Sequence, residues 1–372
     1  MGRRTGAWLG WLAAALILYF FENNTGTRAV LVISLLVPLL SMACARMSAR
    51  RQEVFLQAPE TAAAGEKIRC TIRLRQPPWS IGCRTVCVMN GRNGLTGEQF
   101  EAEVPVPYGG TCEQAVESGR CGRLSLSVSR VETRDWFGLA CFARDVRAER
   151  SIFLKPALYP VSVHTDPDAG AASREAGGDH RRSEDPEPGD LRPYVPGDPV
   201  RKIHWKLSEK TDQILIRESS PEALSRTALL LETSFPEQAD PEAMHATARG
   251  LLSVSRALAA EGIAHAVVTA DRGEAVIAEV TDGKSFCRAE EQVLAAECTT
   301  GAASIGTMLK QQYPDLRFRR AILFTPHPET DVFSPAECQP VTVVLPPFVP
   351  CTSPGSGIRV TSMDPADAGI DL

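Results

Sequence analysis

The spacing of hydrophobic positions along this chain passes from unbroken, to alternating, to helical. Two stretches, Ala7–Phe21 and Ala29–Ala45, carry no charged residue, and only Glu22-Asn23-Asn24-Thr25-Gly26-Thr27-Arg28 separates them. Each comes close to the roughly 17 residues at the lower limit of a membrane-spanning helix. The pattern predicts a transmembrane helical hairpin. A secretory signal peptide competes for the first stretch, but no small-x-small cleavage site follows Phe21 and the second apolar stretch starts almost at once. A buried hairpin of a soluble protein is the third reading.

From about residue 52 to 156 the period is two. Lys67–Arg75 and Arg123–Ser129 alternate apolar and polar side chains, as a sheet with one buried and one wet face requires. Further short strands are expected near 53–57, 84–89, 99–106, 139–146 and 151–154. Short strands at this spacing, set apart by Pro and Gly, predict a β-sandwich. Residues 164–190 then hold almost no large apolar side chain and cannot build a core.

Beyond residue 220 the period changes again. Thr227–Thr233 reads as a buried strand, and Pro241–Glu261 as a helix with Pro241 in its first turn and Gly262 as its stop. Strands at 263–270, 275–281, 321–324 and 341–345 alternate with helices at 288–297 and 301–312, the signature of an open α/β sheet. The chain is therefore expected to be multidomain. Two transmembrane helices occupy 1–48, an all-β sandwich 49–160, a linker or long loop 161–190, and a signature segment with an α/β open-sheet domain 191–372.

Composition adds orientation and compartment. The chain has 372 residues, 44% hydrophobic and 23% charged, with a net charge of −5, which excludes disordered, collagen-like and small disulfide-rich classes. Arg3, Arg4, Arg28, Arg46, Arg50 and Arg51 stand against Glu22 alone before residue 52, so the remainder is more acidic than the total shows. An acidic body argues against nucleic acid as a partner. Arginines flank the outer ends of both apolar stretches, while the turn offers only Arg28. The positive-inside rule then expects a multi-pass cell-membrane protein with its soluble part in the cytoplasm. Eleven cysteines, an odd number without paired spacing, fit free thiols in a reducing compartment. Cys83 and Cys87 would share one strand face, where packing is the simpler role.

The densest segment is Leu191-Arg192-Pro193-Tyr194-Val195-Pro196-Gly197-Asp198-Pro199-Val200-Arg201-Lys202-Ile203-His204-Trp205-Lys206. Pro196-Gly197 is a turn dipeptide that Asp198 can brace through nearby amides. After it, Ile203 and Trp205 share one face, and Lys202, His204 and Lys206 the other. In the plain structural reading Trp205 packs and the basic residues are solvated. In the functional reading Arg201, His204 and Lys206 grip a carboxylate or phosphate. Asp198, Arg201 and His204 could alternatively supply the acid, base and oxyanion groups of a hydrolase or transferase, although no nucleophile is evident. In a purely structural envelope protein the segment would be a packing joint between domains.

This run, together with Ile214-Leu215-Ile216-Arg217-Glu218, closely resembles the signature of the domain of unknown function 58 (DUF58) family. Thr133-Arg134-Asp135-Trp136-Phe137-Gly138-Leu139-Ala140 is similar to that family's Asp-x-Phe-Gly-Leu element. The resemblance implies a membrane-anchored protein with a von Willebrand factor A-like region that works beside a MoxR-type AAA+ ATPase, often near a transglutaminase-like membrane protein. It transfers no enzymatic activity. The expected role is an adaptor that offers Arg192, Tyr194, Pro196, Gly197, Asp198, Arg201, His204, Trp205 and Lys206 to a partner, with the membrane lipid met through the hairpin.

A von Willebrand A domain can hold Mg²⁺ at its first strand through Asp-x-Ser-x-Ser. Here that strand ends Glu232-Thr233-Ser234-Phe235-Pro236, so only a degenerate candidate, Glu232 and Ser234, remains, and no metal is expected. Phe324-Thr325-Pro326-His327 also lacks a completing Asp. No Gly-x-Ser-x-Gly or His-Glu-x-x-His motif is present, and Gly283-Lys284-Ser285 lacks the first glycine of a phosphate loop. His164, His180, His245, His265 and His327 stand apart, and no cofactor is implied.

Overall fold

The computed structural model describes residues 2–22, 24–164, 191–193, 208, 215–217, 227–235, 240–271, 273–301, 303–314, 316, 318, 320–327, 341–347, 349, 358–362 and 369–371. It forms two compact units, Met1–Ala157 and Leu158–Leu372.

The first unit opens with α1 (Gly2–Phe21) and α2 (Thr25–Arg51). Asn24 caps α2 in a capping box with Thr27, which satisfies the first free amides of the helix. The Trp8 and Trp11 indoles donate to the carbonyl and hydroxyl of Ser34 at 3.4 and 3.0 Å, tying the two helices side by side. Arg4–Phe21 and Thr25–Arg51 are long and apolar enough to cross a membrane, and only 6% and 17% of those windows are buried. Core helices of a soluble domain would be mostly covered.

The C-terminal part of α2 has a different surrounding. Ser41, Ala45, Ser48, Ala49 and Gln52 recur at helical spacing and are all buried, a stripe of small and polar side chains that admits a close neighbour. The helix thus runs on to Arg51, past the expected boundary at 48. Its neighbour is built from β1 (Glu53–Gln57), β2 (Thr61–Ala63), β3 (Lys67–Arg75), β4 (Arg84–Asn93), β5 (Gln99–Val106), β6 (Thr111–Glu117), β7 (Gly122–Arg134) and β8 (Cys141–Lys155). One sheet has the order β1-β3-β6 and the other β2-β8-β7-β4-β5, antiparallel except for β2 beside β8. Their inner residues, among them Ile68, Cys70, Ile72 and Leu74 from one sheet and Met89, Leu124, Leu126, Val128 and Ile152 from the other, share one core.

The two strands expected at 139–146 and 151–154 are one strand, β8. Its middle, Ala143–Asp145 and Arg147–Ser151, is almost wholly exposed, so no apolar alternation marks it; the ladder with β7 holds it extended. Cys83 and Cys87 are both buried, and burial pushes the Cys87 thiol up to about 11, with Cys112 adding to the effect. The nine described cysteines are free.

In the second unit β9 (Ser162–His164) pairs with β20 (Gly369–Asp371), so three residues of the expected linker belong to a strand. β10 (Leu191–Pro193) pairs antiparallel with β11 (Leu215–Arg217). β12 (Thr227–Leu231), β14 (His265–Asp271), β15 (Glu274–Val280), β17 (Arg320–Phe324), β18 (Val341–Leu345) and β19 (Ile358–Ser362) form a six-stranded sheet in the order β15-β14-β12-β17-β18-β19. All its pairs are parallel except the β14–β15 edge hairpin. β13 (Ser234–Phe235) and β16 (Thr299–Thr300) make a small separate ladder.

Helices α3 (Pro241–Ala260), α4 (Gly283–Ala295) and α5 (Ile305–Gln312) pack on this sheet. Ala228, Leu230, Ala266, Val268 and Leu323 join Ile305, Met308 and Leu309 of α5 in one core. The alternate residues Leu229, Leu231, Val267, Ile322 and Phe324 are buried too, and α3 packs against β12, β14 and β17. Strands covered on both faces read as unbroken apolar runs, which is why Ala228-Leu229-Leu230-Leu231 shows no alternation.

Candidate functional site

Counting from β12, the sheet order is third, second, first, fourth, fifth, sixth. The chain winds outward in one direction through β14 and β15, then in the other from β17. In open α/β sheets the crevice beyond the carboxyl ends of the strands at such a switch is where ligands bind. Here it lies past β12 and β17, where Glu232, Thr233, Ser234, Thr325 and His327 meet the start of α5.

Glu232 governs this crevice. It is 3% exposed, and its Oε1 accepts the backbone N–H groups of Thr233 at 3.1 Å and Ser234 at 3.0 Å. Its Oε2 accepts the N–H of Ile305, the first residue of α5, at 3.1 Å. A helix N-terminus leaves such donors free and favours an anion beside them. Burial is the larger influence on the carboxyl and raises its pKa, while the three N–H bonds pull the other way. The candidate metal ligand therefore spends its oxygens inside the protein, stapling the end of β12 to α5. Burial also pushes the neighbouring Cys298 thiol up to about 11, and the Glu232 charge adds to it.

Two polar atoms of the crevice are left over. The Thr233 hydroxyl and the His327 Nε2 are buried and have no hydrogen-bond partner. The His327 ring lies 5.0 Å from that of Phe235, and its backbone N–H is accepted by the Thr325 hydroxyl at 3.2 Å. A polar ligand entering here would find these two atoms unsatisfied. Among the described residues no group of three or more His, Cys, Asp or Glu is arranged to hold a metal ion.

Of the signature residues, Arg192 lies in β10, opposite Ile216 of β11. The first residues of the signature and the Leu215-Ile216-Arg217 run, far apart in sequence, are thus brought into one antiparallel ladder. Tyr194, Pro196, Gly197, Asp198, Arg201, His204, Trp205 and Lys206 lie outside the described residues.

Other sequence candidates have structural roles. His265 is 1% exposed; its Nδ1 and Nε2 lie 2.9 Å from the Ile263 carbonyl and 2.7 Å from the Ser255 hydroxyl. A ring N–H donates to the carbonyl, so the Ser255 hydroxyl donates to the other nitrogen. Burial keeps this imidazole neutral by lowering its pKa. The pair has the atoms of a nucleophile and base, yet Ser255 is fully buried among the residues of α3 and no substrate reaches it. Gly283-Lys284-Ser285 is the first turn of α4, where Asp282 and Ser285 form a capping box.

The residue to which the sequence assigned no role is Asp135. It is 1% exposed in the turn between β7 and β8. Its carboxylate accepts the N–H of Ala140 at 2.7 Å and of Phe137 at 3.1 Å, and the Ser41 hydroxyl of α2 at 3.3 Å. The Ser41 hydroxyl oxygen in turn accepts the Trp136 N–H at 2.9 Å. Gly138 turns the chain at φ +71°, a conformation that glycine alone adopts freely. The Asp-Trp-Phe-Gly-Leu run was the available signal; its contact with a helix 94 positions upstream was not.

Residues 190–284, about a quarter of the chain, match the model of a family described as "Protein of unknown function DUF58". The match covers the signature and the first half of the α/β unit, and it supports the resemblance to that family. No curated protein and no solved structure matches the chain.

Proposed function

We propose that this chain is a membrane-anchored cytoplasmic adaptor whose α/β unit presents a binding surface to an AAA+ ATPase of the MoxR type. The observation that carries this reading is the state of the switch-point crevice. Among the described residues its carboxylate is Glu232, which is closed onto three backbone amides, so the crevice is braced by that side chain and offers the Thr233 hydroxyl and His327 as binding groups. The strand order, with an antiparallel edge hairpin and the first strand in the middle, supports a von Willebrand factor A-like reading of the unit. The two apolar helices, flanked by Arg3, Arg4, Arg46, Arg50 and Arg51, support a two-pass anchor with both ends in the cytoplasm.

The test is a pull-down of the full chain from its membrane in mild detergent, beside a variant with Arg201→Ala, His204→Ala and Trp205→Ala. Mass spectrometry of the wild-type sample should identify an AAA+ ATPase, and the folded variant should lose it. Recovery of no ATPase, or of equal amounts with both proteins, would sink the adaptor reading.

A further inference from the structure

The turn that Asp135 closes has an outer side that nothing in the first unit covers. Trp136 is 42% exposed, Phe137 45% and the neighbouring Ile81 63%. The Trp136 indole lies over Gly82, so the Ile81 loop and the turn form one apolar edge. Their depth is set by α2. The Trp136 amide is bonded to Ser41, which lies inside the uncharged stretch of that helix. At ~1.5 Å per residue, a helix starting at Thr25 has climbed only about 24 Å by Ser41, short of the ~30 Å hydrocarbon layer. A chain anchored by this hairpin therefore has the Trp136–Phe137 edge drawn into the membrane boundary, where Trp and other amphipathic rings settle.

Beside that edge is a cavity of about 1130 Å³ lined by Arg4, Arg84, Arg134, Tyr108 and Trp136. Arg4, on the first turns of α1, lies against Gly138, which puts its guanidinium level with the same turn. Neither Arg4 nor Arg84 has a carboxylate partner among the described residues, while Arg134 shares Glu132 at 3.6 Å. The carboxylate in the lining is Asp135, whose oxygens are already taken by two amides and the Ser41 hydroxyl. Three guanidinium groups face a single lining carboxylate, which is held by its own turn and by Ser41, and this excess of positive charge calls for an anion; guanidinium pairs readily with phosphate.

We propose that this cavity binds the phosphate headgroup of an anionic membrane lipid, with the Trp136–Phe137 edge resting among the acyl chains beside it. The proposal rests on the reading of α1 and α2 as a membrane anchor. A soluble phosphate would satisfy the arginines but not the apolar edge, which is why a lipid is the ligand assigned.

The full chain is reconstituted in nanodiscs holding equal amounts of phosphatidylglycerol and phosphatidylcholine, and the lipids it retains are counted by native mass spectrometry. Wild type should retain phosphatidylglycerol over phosphatidylcholine by about tenfold, and Arg4→Gln with Arg84→Gln should remove most of that preference. Both arginines are exposed, so the double variant keeps the fold. No preference in wild type, or an unchanged preference in the variant, overturns the lipid site. Displacement of the lipid by inorganic phosphate at millimolar concentration overturns the assignment of a lipid. Release of the wild-type chain from vesicles by alkaline carbonate overturns the anchor reading and the proposal with it, and this outcome is distinct from an embedded chain without lipid preference.

Discussion

Asp135 in the first unit and Glu232 in the second are both buried carboxylates that accept three hydrogen bonds, yet they do different work. Asp135 takes two amides from its own six-residue turn and one hydroxyl from α2. Glu232 takes two amides from the residues just after it and a third from the start of α5, 73 positions away. The shorter side chain closes its own loop and joins that loop to a helix. The longer one holds the strand end with one oxygen and reaches the helix itself with the other. A buried carboxylate close to a strand end, in either form, is a means of fixing one element to another, and acid chemistry is not required to explain it.

Breaking the Asp135 hub should have the largest effect. Asp135→Ala leaves the Phe137 and Ala140 amides and the Ser41 hydroxyl without an acceptor in a buried place, a loss of about 3 kcal/mol. Hydrogen exchange of the full chain in detergent should then show lost protection both at 133–141 and in α2 around Ser41. Loss at the turn alone would mean that the hub does not hold the helix.

Ser41→Ala sharpens the same point and should cost less, about 1 to 2 kcal/mol, since the Asp135 bonds within the turn survive while the Trp136 amide is orphaned. Protection should fall along the buried stripe from Ser41 to Ser48 and leave the β7–β8 turn folded. Ser48 and Gln52 provide a second set of bonds to the sandwich, at 2.6 Å to Ser80 and 3.1 Å from Thr133, so the helix should loosen locally and stay attached at its end.

The two carboxylates also show how far the sequence could be read. Local periodicity and punctuation were enough for α3, where Pro241 and Gly262 bracket an apolar stripe, and for Ala228–Leu231, whose unbroken run follows from burial on both faces. They failed for β8, whose exposed middle is held by pairing with β7. Glu232 was legible as a misfit metal ligand because the residues around it are adjacent in sequence. Its distant partner, the Ile305 amide, lies 73 positions away and is brought beside it only in the folded unit. The same holds for Asp135 and Ser41: a motif shows that a residue matters locally, whereas what it is attached to is a property of the fold.

The smallest predicted effect separates charge from geometry at Glu232. Burial raises the folded-state pKa of this carboxyl above its unfolded value. Below the unfolded value both states are protonated and the stabilising contribution is fully present. As pH rises from the ordinary carboxylate range through the folded pKa, the folded protein must give up a proton that the unfolded chain has already lost, and stability falls. His265 runs the other way, since its lowered pKa removes stability as pH falls below the ordinary histidine value. The Glu232 contribution is therefore read as a difference: urea unfolding of the second unit, followed by hydrogen exchange at β12 and α5 in the full chain, for wild type and Glu232→Gln at pH 5 and pH 8. Wild type should lose ground to the variant on going to the higher pH. The opposite slope would mean that the three N–H bonds outweigh burial, and that the carboxylate at the head of α5 is held there as an anion by choice of the fold rather than at a cost to it.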